Sequence, residues 1–429
     1  MIEKNTKRFH GAAIGILLLL LAIFGVTTLM VNLYAAVVLT IILVSLIPFS
    51  LKKLSVESKK KINENIFIII TGTAALVMVV FVIYILSDIF WSAKSHLTLD
   101  FLIESPEDGL SEGGIYPAII GTALLVIIMA IVGVPFGTLT AIYLTEYAKE
   151  DSKIAGFIRF AINTLAGVPA IVFGLFGLGF FIGTIGKTID TIEHNNRMEK
   201  VEIILSDENS PFHNSKEALI RDLEDYFTKN DREYWNDQII ELKTMVEIRG
   251  IDAEITKEKI ISHFEKRQNP SWGQPALIWA ALTMALLTLP VVIVSVEEAI
   301  KAVPKDLREA SLALGATKFA TIRKVVIPSS ITGILTGTIL AVSRGAGEVA
   351  PILFTGAAYY LPDLPTSLNS QFMELGYHIY ILTTQSTNVA ETLPLQYATT
   401  FVLLMLTFAL NFSAIFIRSR MRKKLGTEK

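Results

Sequence analysis

The chain has 429 residues, of which 52% are hydrophobic and only 18% charged, with a mean hydropathy of +0.53. Soluble globular proteins carry charge on about a quarter of their residues, so this composition excludes a water-soluble globule and assigns most of the chain to a bilayer. A net charge of −2 offers no basic excess for nucleic acid, and the lack of cysteine excludes disulfides, thiolate metal sites and cysteine nucleophiles.

Met1 to His10 is basic, and residues 11–51 then contain no Asp, Glu, Lys or Arg. A bilayer core about 30 Å thick needs roughly 20 apolar residues per helix. The run is twice that length and predicts a helical hairpin breaking near Val31-Asn32. It is too long for a signal peptide and has no small-residue cleavage site, so it reads as a retained anchor. Further apolar runs lie at 66–87, 116–144, 162–186, 275–296, 329–357 and 398–417. With the hairpin they make eight spans, which puts both termini on one side.

Loop charge identifies that side. Lys4, Lys7 and Arg8, Lys52 to Lys61, Lys149, Lys153 and Arg159, the bases of 297–328, and Arg418 to Lys424 all fall together. The opposite loops are poor in bases: 88–115 has Lys94 against six acids, and 357–397 has no Lys or Arg. Cytoplasmic loops carry the excess of Lys and Arg, so both termini are expected in the cytoplasm. Trp91 and Trp272 sit at the expected outer boundaries, where amphipathic rings anchor.

Residues 187–272 break the apolar pattern, with 13 basic against 19 acidic residues. Ser215 to Phe227 has the pattern of a capped amphipathic helix with Leu219, Leu223 and Phe227 on one stripe. Ile239, Leu242, Val246 and the run to Phe264 are similar. The topology places this acidic helical insertion outside, either as a solvated module with a small core or as a contact surface for an external partner. His194, His213 and His263 are scattered and show no metal spacing. Gly183 to Thr188 ends like a phosphate-binding P-loop, but Phe181 stands where that motif needs glycine, and a membrane helix precedes it where a strand is required. No motif for ATP hydrolysis and no paired-carboxylate or Ser/His/Asp site is read in the spans. The Gly179/Gly183 and Gly333/Gly337 pairs suit close helix packing against a partner.

The cytoplasmic segment 297–328 is long for a helix connection. Pro304 opens a helix at no hydrogen-bond loss. Leu307, Ala310, Ser311 and Leu314 share one face at i, i+3, i+4, i+7 spacing, and Gly315 ends the helix where positive φ is needed. A second short helix runs to Pro328. Two short amphipathic helices between spans suit docking into a partner's groove.

Glu309-Ala310-Ser311, then Gly315, then Val325-Val326-Ile327-Pro328 resembles the EAA signature of ABC importer permeases, with Ser311, Val325 and Ile327 as mild changes. The stretch Ala341 to Thr355, with Arg344 and Glu348, is similar to the fifth core span of the PstA-type phosphate permease family. Ala141 to Tyr147 is similar to the end of its second core span, and Ile158 to Phe176 to its third. The similarity covers 66–186 and 273–429. The family pattern also has a base just after the proline of its fourth core span, whereas Pro290 here is followed by Val291-Val292-Ile293-Val294-Ser295.

The resemblance implies an all-α polytopic protein with a six-helix type I ABC importer permease core. Its core parts would be 66–186 and 273–429, the second containing the coupling loop 297–328; the N-terminal hairpin and basic loop (1–65) and the insertion (187–272) come from the apolar and charge patterns alone, and the resemblance says nothing about them. It implies import of inorganic phosphate across a bacterial inner membrane, with no catalysis by this chain and no cofactor or metal. It also implies a cytoplasmic ATPase subunit dimer, a second phosphate permease subunit forming a heterodimer, and an extracytoplasmic phosphate-binding protein. In this scheme Pro304, Leu307, Glu309, Ala310, Ser311, Leu314, Gly315 and Pro328 belong to the ATPase-coupling loop.

Arg344 and Glu348 stand out on physical grounds as well. An ionised residue at mid-membrane costs about 2.5–3.5 kcal/mol on insertion scales, so one found there is by default functional. Ser329 to Arg344 is about 23 Å of helix, which is still inside the core. At i, i+4 the two side chains share a face and can pair, and a guanidinium matches phosphate oxygens. The reading is a lining of the anion path; a structural ion pair is the alternative. A permease for sulfate or molybdate would use Arg344 equally, and a regulatory membrane scaffold would use the acidic insertion instead.

Overall fold

A computed structural model describes residues 56–107, 112–149, 151–206, 240, 261–262, 270–386 and 389–424. The hairpin at 11–51, the helix at Ser215–Phe227 and most of 239–264 lie outside the described residues. Among the described residues six helices are long and apolar enough to cross a membrane, and they fall on the six later apolar runs. The fold is that of an all-α polytopic membrane protein, apart from a two-residue antiparallel ladder of β1 (Pro106–Glu107) and β2 (Glu112–Gly113).

The chain divides into two compact units, Met1–Trp91 and Ser92–Lys429. The first provides nearly all of α1 (Val56–Ala93), whose membrane-crossing part is Thr71–Ala93. The second begins with α2 (Leu99–Ile103), capped by the Thr98 hydroxyl accepting from Phe101 N at 3.1 Å. Next comes α3 (Tyr116–Ile142), 27 residues without a charge, which continues as a π-helical turn at Tyr143–Tyr147.

At the centre of the second unit is α7 (Leu277–Lys301), with 67% of its most apolar window buried, more than any other span. It lies beside α3 and runs in the same direction: Gly133 faces Ala285, and Gly137 faces Val292, where a Cβ would come within 2.6 Å of Val292 Cγ1. Lipid tails are as apolar as leucine, so no hydrophobic force drives such pairs together; close approach through small residues supplies the dispersion contacts instead. Leu125, Val126 and Met129 of α3 pack here with Leu277, Ala280, Ala281, Met284 and Leu287 of α7.

Four features differ from the sequence expectations. The span expected at 162–186 is broken at Gly167-Val168-Pro169, because the proline forces its predecessor out of the α region. Before the break, α4 (Lys153–Ala166) is a separate helix capped by Ser152; after it, α5 (Ala170–Phe176) starts the crossing. That crossing continues through a π-helical stretch (Gly177–Gly186) directly into α6 (Lys187–Ser206), so the helix has no break where the acidic insertion begins. Pro328 ends no helix. A π-helical turn, Ile322–Val326, follows α9 (Lys318–Thr321) and leads into α10 (Ile327–Gly345); widening the backbone there accommodates a ring that would otherwise clash with the preceding turn. Lastly, the span expected at 329–357 stops at Gly345, and residues 346–374 are turns, a 3-10 turn (Ile352–Phe354) and extended segments. The chain then forms α11 (Leu375–Thr384) and α12 (Val389–Lys424).

Gly333 and Gly337 pack inside the chain, against Ala299 and Ser295 of α7, while Gly179 has nothing near it. The two ends of the 187–272 segment are joined by Asp190. Its Oδ1 accepts from Ser271 N at 3.1 Å and Trp272 N at 2.8 Å, and its Oδ2 accepts from Gly273 N at 2.6 Å. Trp272 O in turn accepts from Trp279 Nε1 at 2.7 Å. Asp190→Ala leaves three N–H groups without their acceptor and is expected to lower stability by about 1–3 kcal/mol, measured as a drop in thermal midpoint in detergent.

Candidate functional site

The helix expected after Pro304 is α8 (Lys305–Ala313), with Pro304 at its N-cap and Leu314 at its C-cap. Gly315 has φ +84°, so it ends the helix as the sequence requires. The expected four-residue face divides. Ser311 turns inward and its hydroxyl lies 2.9 Å from that of Thr321. Leu307, Glu309, Ala310 and Leu314 stay exposed. Leu314 is 89% exposed, and Leu312 and Phe319 add to an uncovered apolar ridge.

What holds α8 in place is Arg308, which sequence reading counted only as a loop charge. Its guanidinium contacts Glu146 Oε1 through Nε at 3.1 Å and Nη2 at 3.0 Å. It also donates to Ile300 O at 2.8 Å and to Val303 O, at the end of α7. The pair is largely shielded, with side chains 19% and 11% exposed. Nearby, Arg159 of α4 lies 2.7 Å from Glu297 of α7 and donates to Leu144 O at 3.0 Å. The signal for both was an arginine close in sequence to a motif and an acid inside another, but nothing in the spacing joins them.

Arg344 and Glu348 do pair, Nε to Oε1 at 3.6 Å, across the end of α10. Gly345, next to Arg344, packs on Met129 Sδ, and Met129 is the midpoint of the 27-residue α3. The helix therefore stops level with the middle of the bundle. Both side chains remain partly open, 38% and 28% exposed. Beside them Ser343 donates to Asn411 Oδ1 of α12 at 2.7 Å, a polar contact not anticipated from sequence. The arrangement offers an oxyanion one guanidinium and one carboxylate at mid-depth. Among the described residues no three His, Asp or Glu side chains converge as a metal site.

Residues 133–425, which include α8 and the Arg344–Glu348 pair, match the family described as binding-protein-dependent transport system inner membrane component. The chain belongs to this family. It is accordingly a transport permease and a multi-pass inner-membrane protein. It is similar to the probable ABC transporter permease protein YqgI of Bacillus subtilis, at 25% identity over 69% of this chain and 71% of that protein. It is also similar to the phosphate transport system permease proteins PstA of Mycobacterium leprae (26%, covering 70% of each chain) and of Yersinia pestis (26%, over 70% and 72%).

A further polar feature lies between α10 and α12, where Glu374 caps α11 and His378 lies within it. Glu374 and His378 are buried at 3% and 2% exposure. Glu374 Oε2 accepts from Tyr377 N at 2.7 Å, and its Oε1 is 3.4 Å from the Thr122 hydroxyl. Neither ring nitrogen of His378 has a hydrogen-bond partner. Burial pushes the Glu374 carboxyl up to about 7, against the lowering effect of bonds from Gly376, Tyr377 and Thr122. Burial alone pushes the His378 imidazole down to about 4. The carboxyl's contribution to stability is complete below its ordinary 4.5 and is lost as pH rises through about 7. The imidazole's is complete above its ordinary 6.5 and is lost as pH falls through about 4. Between 4.5 and 6.5 the two slopes, each about 1.4 kcal/mol per pH unit, oppose one another. Glu374→Gln leaves only the imidazole's slope. Relative to wild type, its thermal midpoint in detergent is expected to rise from pH 4.5 to pH 6.5.

Proposed function

We propose that this permease moves inorganic phosphate into the cytoplasm, driven by ATP hydrolysis in a separate subunit. The observation that carries the reading is the Arg344–Glu348 pair, left partly open where α10 stops at mid-depth. A charged group in that position is costly unless it faces a water-filled path or a partner, and a guanidinium suits a phosphate oxyanion. Phosphate, rather than another oxyanion, is supported by relatives named as phosphate transport system permeases.

In this reading both termini and α8 face the cytoplasm. The uncovered ridge of Leu307, Leu312, Leu314 and Phe319 seats in a groove of the ATPase dimer. A second phosphate permease subunit covers the polar face of Arg344 and Glu348, and an extracytoplasmic binding protein delivers the anion. Closure of the ATPase dimer is passed through the coupling loop to the spans, which open the path alternately to each side. Glu348 holds the guanidinium beside the path when no anion is present, and the anion competes for it when it arrives. The insertion 187–272, tied at both ends by Asp190, is a module outside this path.

Labelled phosphate uptake by permease-deficient cells expressing the full transporter tests the reading. Excess unlabelled phosphate should block uptake and sulfate should not. Arg344→Ala, with membrane insertion verified, should reduce uptake by about tenfold or more, equivalent to at least about 1.4 kcal/mol. Competition by sulfate would make the substrate a different oxyanion; undiminished uptake in the variant would make Arg344 structural.

A further inference from the structure

The cytoplasmic end of α3 is gripped from two sides. Arg308 reaches from α8 to the Glu146 carboxylate, and Arg159 reaches from α4 to the Leu144 carbonyl. Both gripped residues lie in the π-helical turn Tyr143–Tyr147, which closes with Ala148 N donating to Tyr143 O at 2.8 Å. Each arginine has a second hold on α7: Arg308 on the carbonyls of Ile300 and Val303, Arg159 on Glu297. Glu297 is also within 3.6 Å of Lys301. Arg308 fills the role of a cation at the α7 C-terminus, where unpaired carbonyls and the helix dipole favour positive charge. Exposed ion pairs contribute little. This one is mostly shielded from water and is made of several charge-assisted bonds, so it behaves as a stiff joint.

The joint has a directional consequence. On its outer side α8 bears the ridge left uncovered in this chain; on its inner side α8 has Arg308 and Ser311. Covalently, α8 follows α7 after residues 302–304 and leads on to α9 and α10 through Gly315, whose φ of +84° marks a turn between α8 and α9; neither link reaches α3. Arg308 adds the tie to α3, through Glu146, and a second tie to α7, through Ile300; the glycine-mediated contact of α3 with α7 forms the centre of the bundle. π-helical turns are often found at functional sites, and this one is a single widened turn that carries both gripped residues at the end of the apolar α3.

We infer that Arg308 and Glu146 are positioning residues that pass the movement of the ATPase-docked α8 to α3 through the π-helical turn 143–147. The inference rests on the reading that α8 docks the ATPase, and its test separates the two. The chain has no native cysteine, so Leu139→Cys, exposed on α3 two turns before Glu146, can carry a single environment-sensitive fluorophore. The assay uses the assembled transporter with cysteine-free partner subunits, and compares the fluorophore signal in ADP with that in a non-hydrolysed ATP analogue. ATP hydrolysis and ATPase co-purification are measured on the same samples.

With wild-type Arg308 and Glu146 the nucleotide should change the signal. Arg308→Ala and, as a gentler variant, Glu146→Gln should abolish or sharply reduce that change while ATPase binding and hydrolysis persist. Leu314→Asp should instead lose ATPase binding, which reports on docking alone. A full nucleotide response in both Arg308→Ala and Glu146→Gln would overturn the joint. So would loss of ATPase binding in both, because the pair would then serve only to hold the docking helix.

Discussion

Non-helical backbone is tolerated at membrane depth only where protein or water surrounds it, because hydrocarbon satisfies neither N–H nor C=O. The arrangement of the second unit follows from one such stretch. α10 stops at Gly345, level with the middle of α3, and the chain goes on through turns to Gly356. The freed groups are taken up locally: Ala346 N donates to Val342 O at 3.0 Å, and Thr355 N to Ile352 O at 3.1 Å. The segment is packed in, with Ile352 and Phe372 fully buried beside Met129, Phe173 and Met284. Gly174 and Gly177 let α5 and the following π-helical stretch lie directly on it; a side chain at Gly174 would meet the Pro351 carbonyl at 2.9 Å. Only because α3, α5 and α7 shield this break can Arg344 and Glu348 stand at mid-depth with their other side open.

The centre of the bundle is correspondingly quiet. α7 is buried, and its closest approaches to α3 and α10 are made where glycines of those helices meet Ala285, Val292, Ser295 and Ala299. α12 is far more open, with 6% of its most apolar window buried. A stiff central pair with open outer helices suits a permease that meets a second subunit on one face and lipid on others. The Arg159–Glu297 and Arg308–Glu146 pairs sit where α3 and α7 end, and there arginines join helix ends without burying charge in the hydrocarbon. Arg159 and Arg308 connect four helices, α3, α4, α7 and α8, into one base.

Much of the site could be read in the residues. The Pro304 start, the Gly315 stop and the i, i+4 placement of Arg344 and Glu348 are local rules, and local rules survive folding. The split of the α8 face could not be read: helical spacing says which residues are neighbours, but not which of them finds a hydroxyl such as Thr321 on the next helix. Arg308 with Glu146, separated by 162 positions, and Ser343 with Asn411, separated by 68, are pairings that no periodicity encodes. Glu374 and His378 were inconspicuous because their loop looked merely uncharged by base, and burial is a property of what packs above them.

By itself the sequence determined that this is a multi-span membrane protein, where six of its spans lie, which loops carry the bases, and that a helix–glycine–helix element sits between two spans. These depend on transfer energy and backbone sterics, which act residue by residue. Only the tertiary structure decided where helices end within the bilayer and which helix Arg308 holds. It also decided that the acidic insertion leaves and returns at a single aspartate. Those outcomes depend on whether freed backbone groups and charges find partners far away in the chain, and only the packed arrangement of helices supplies them.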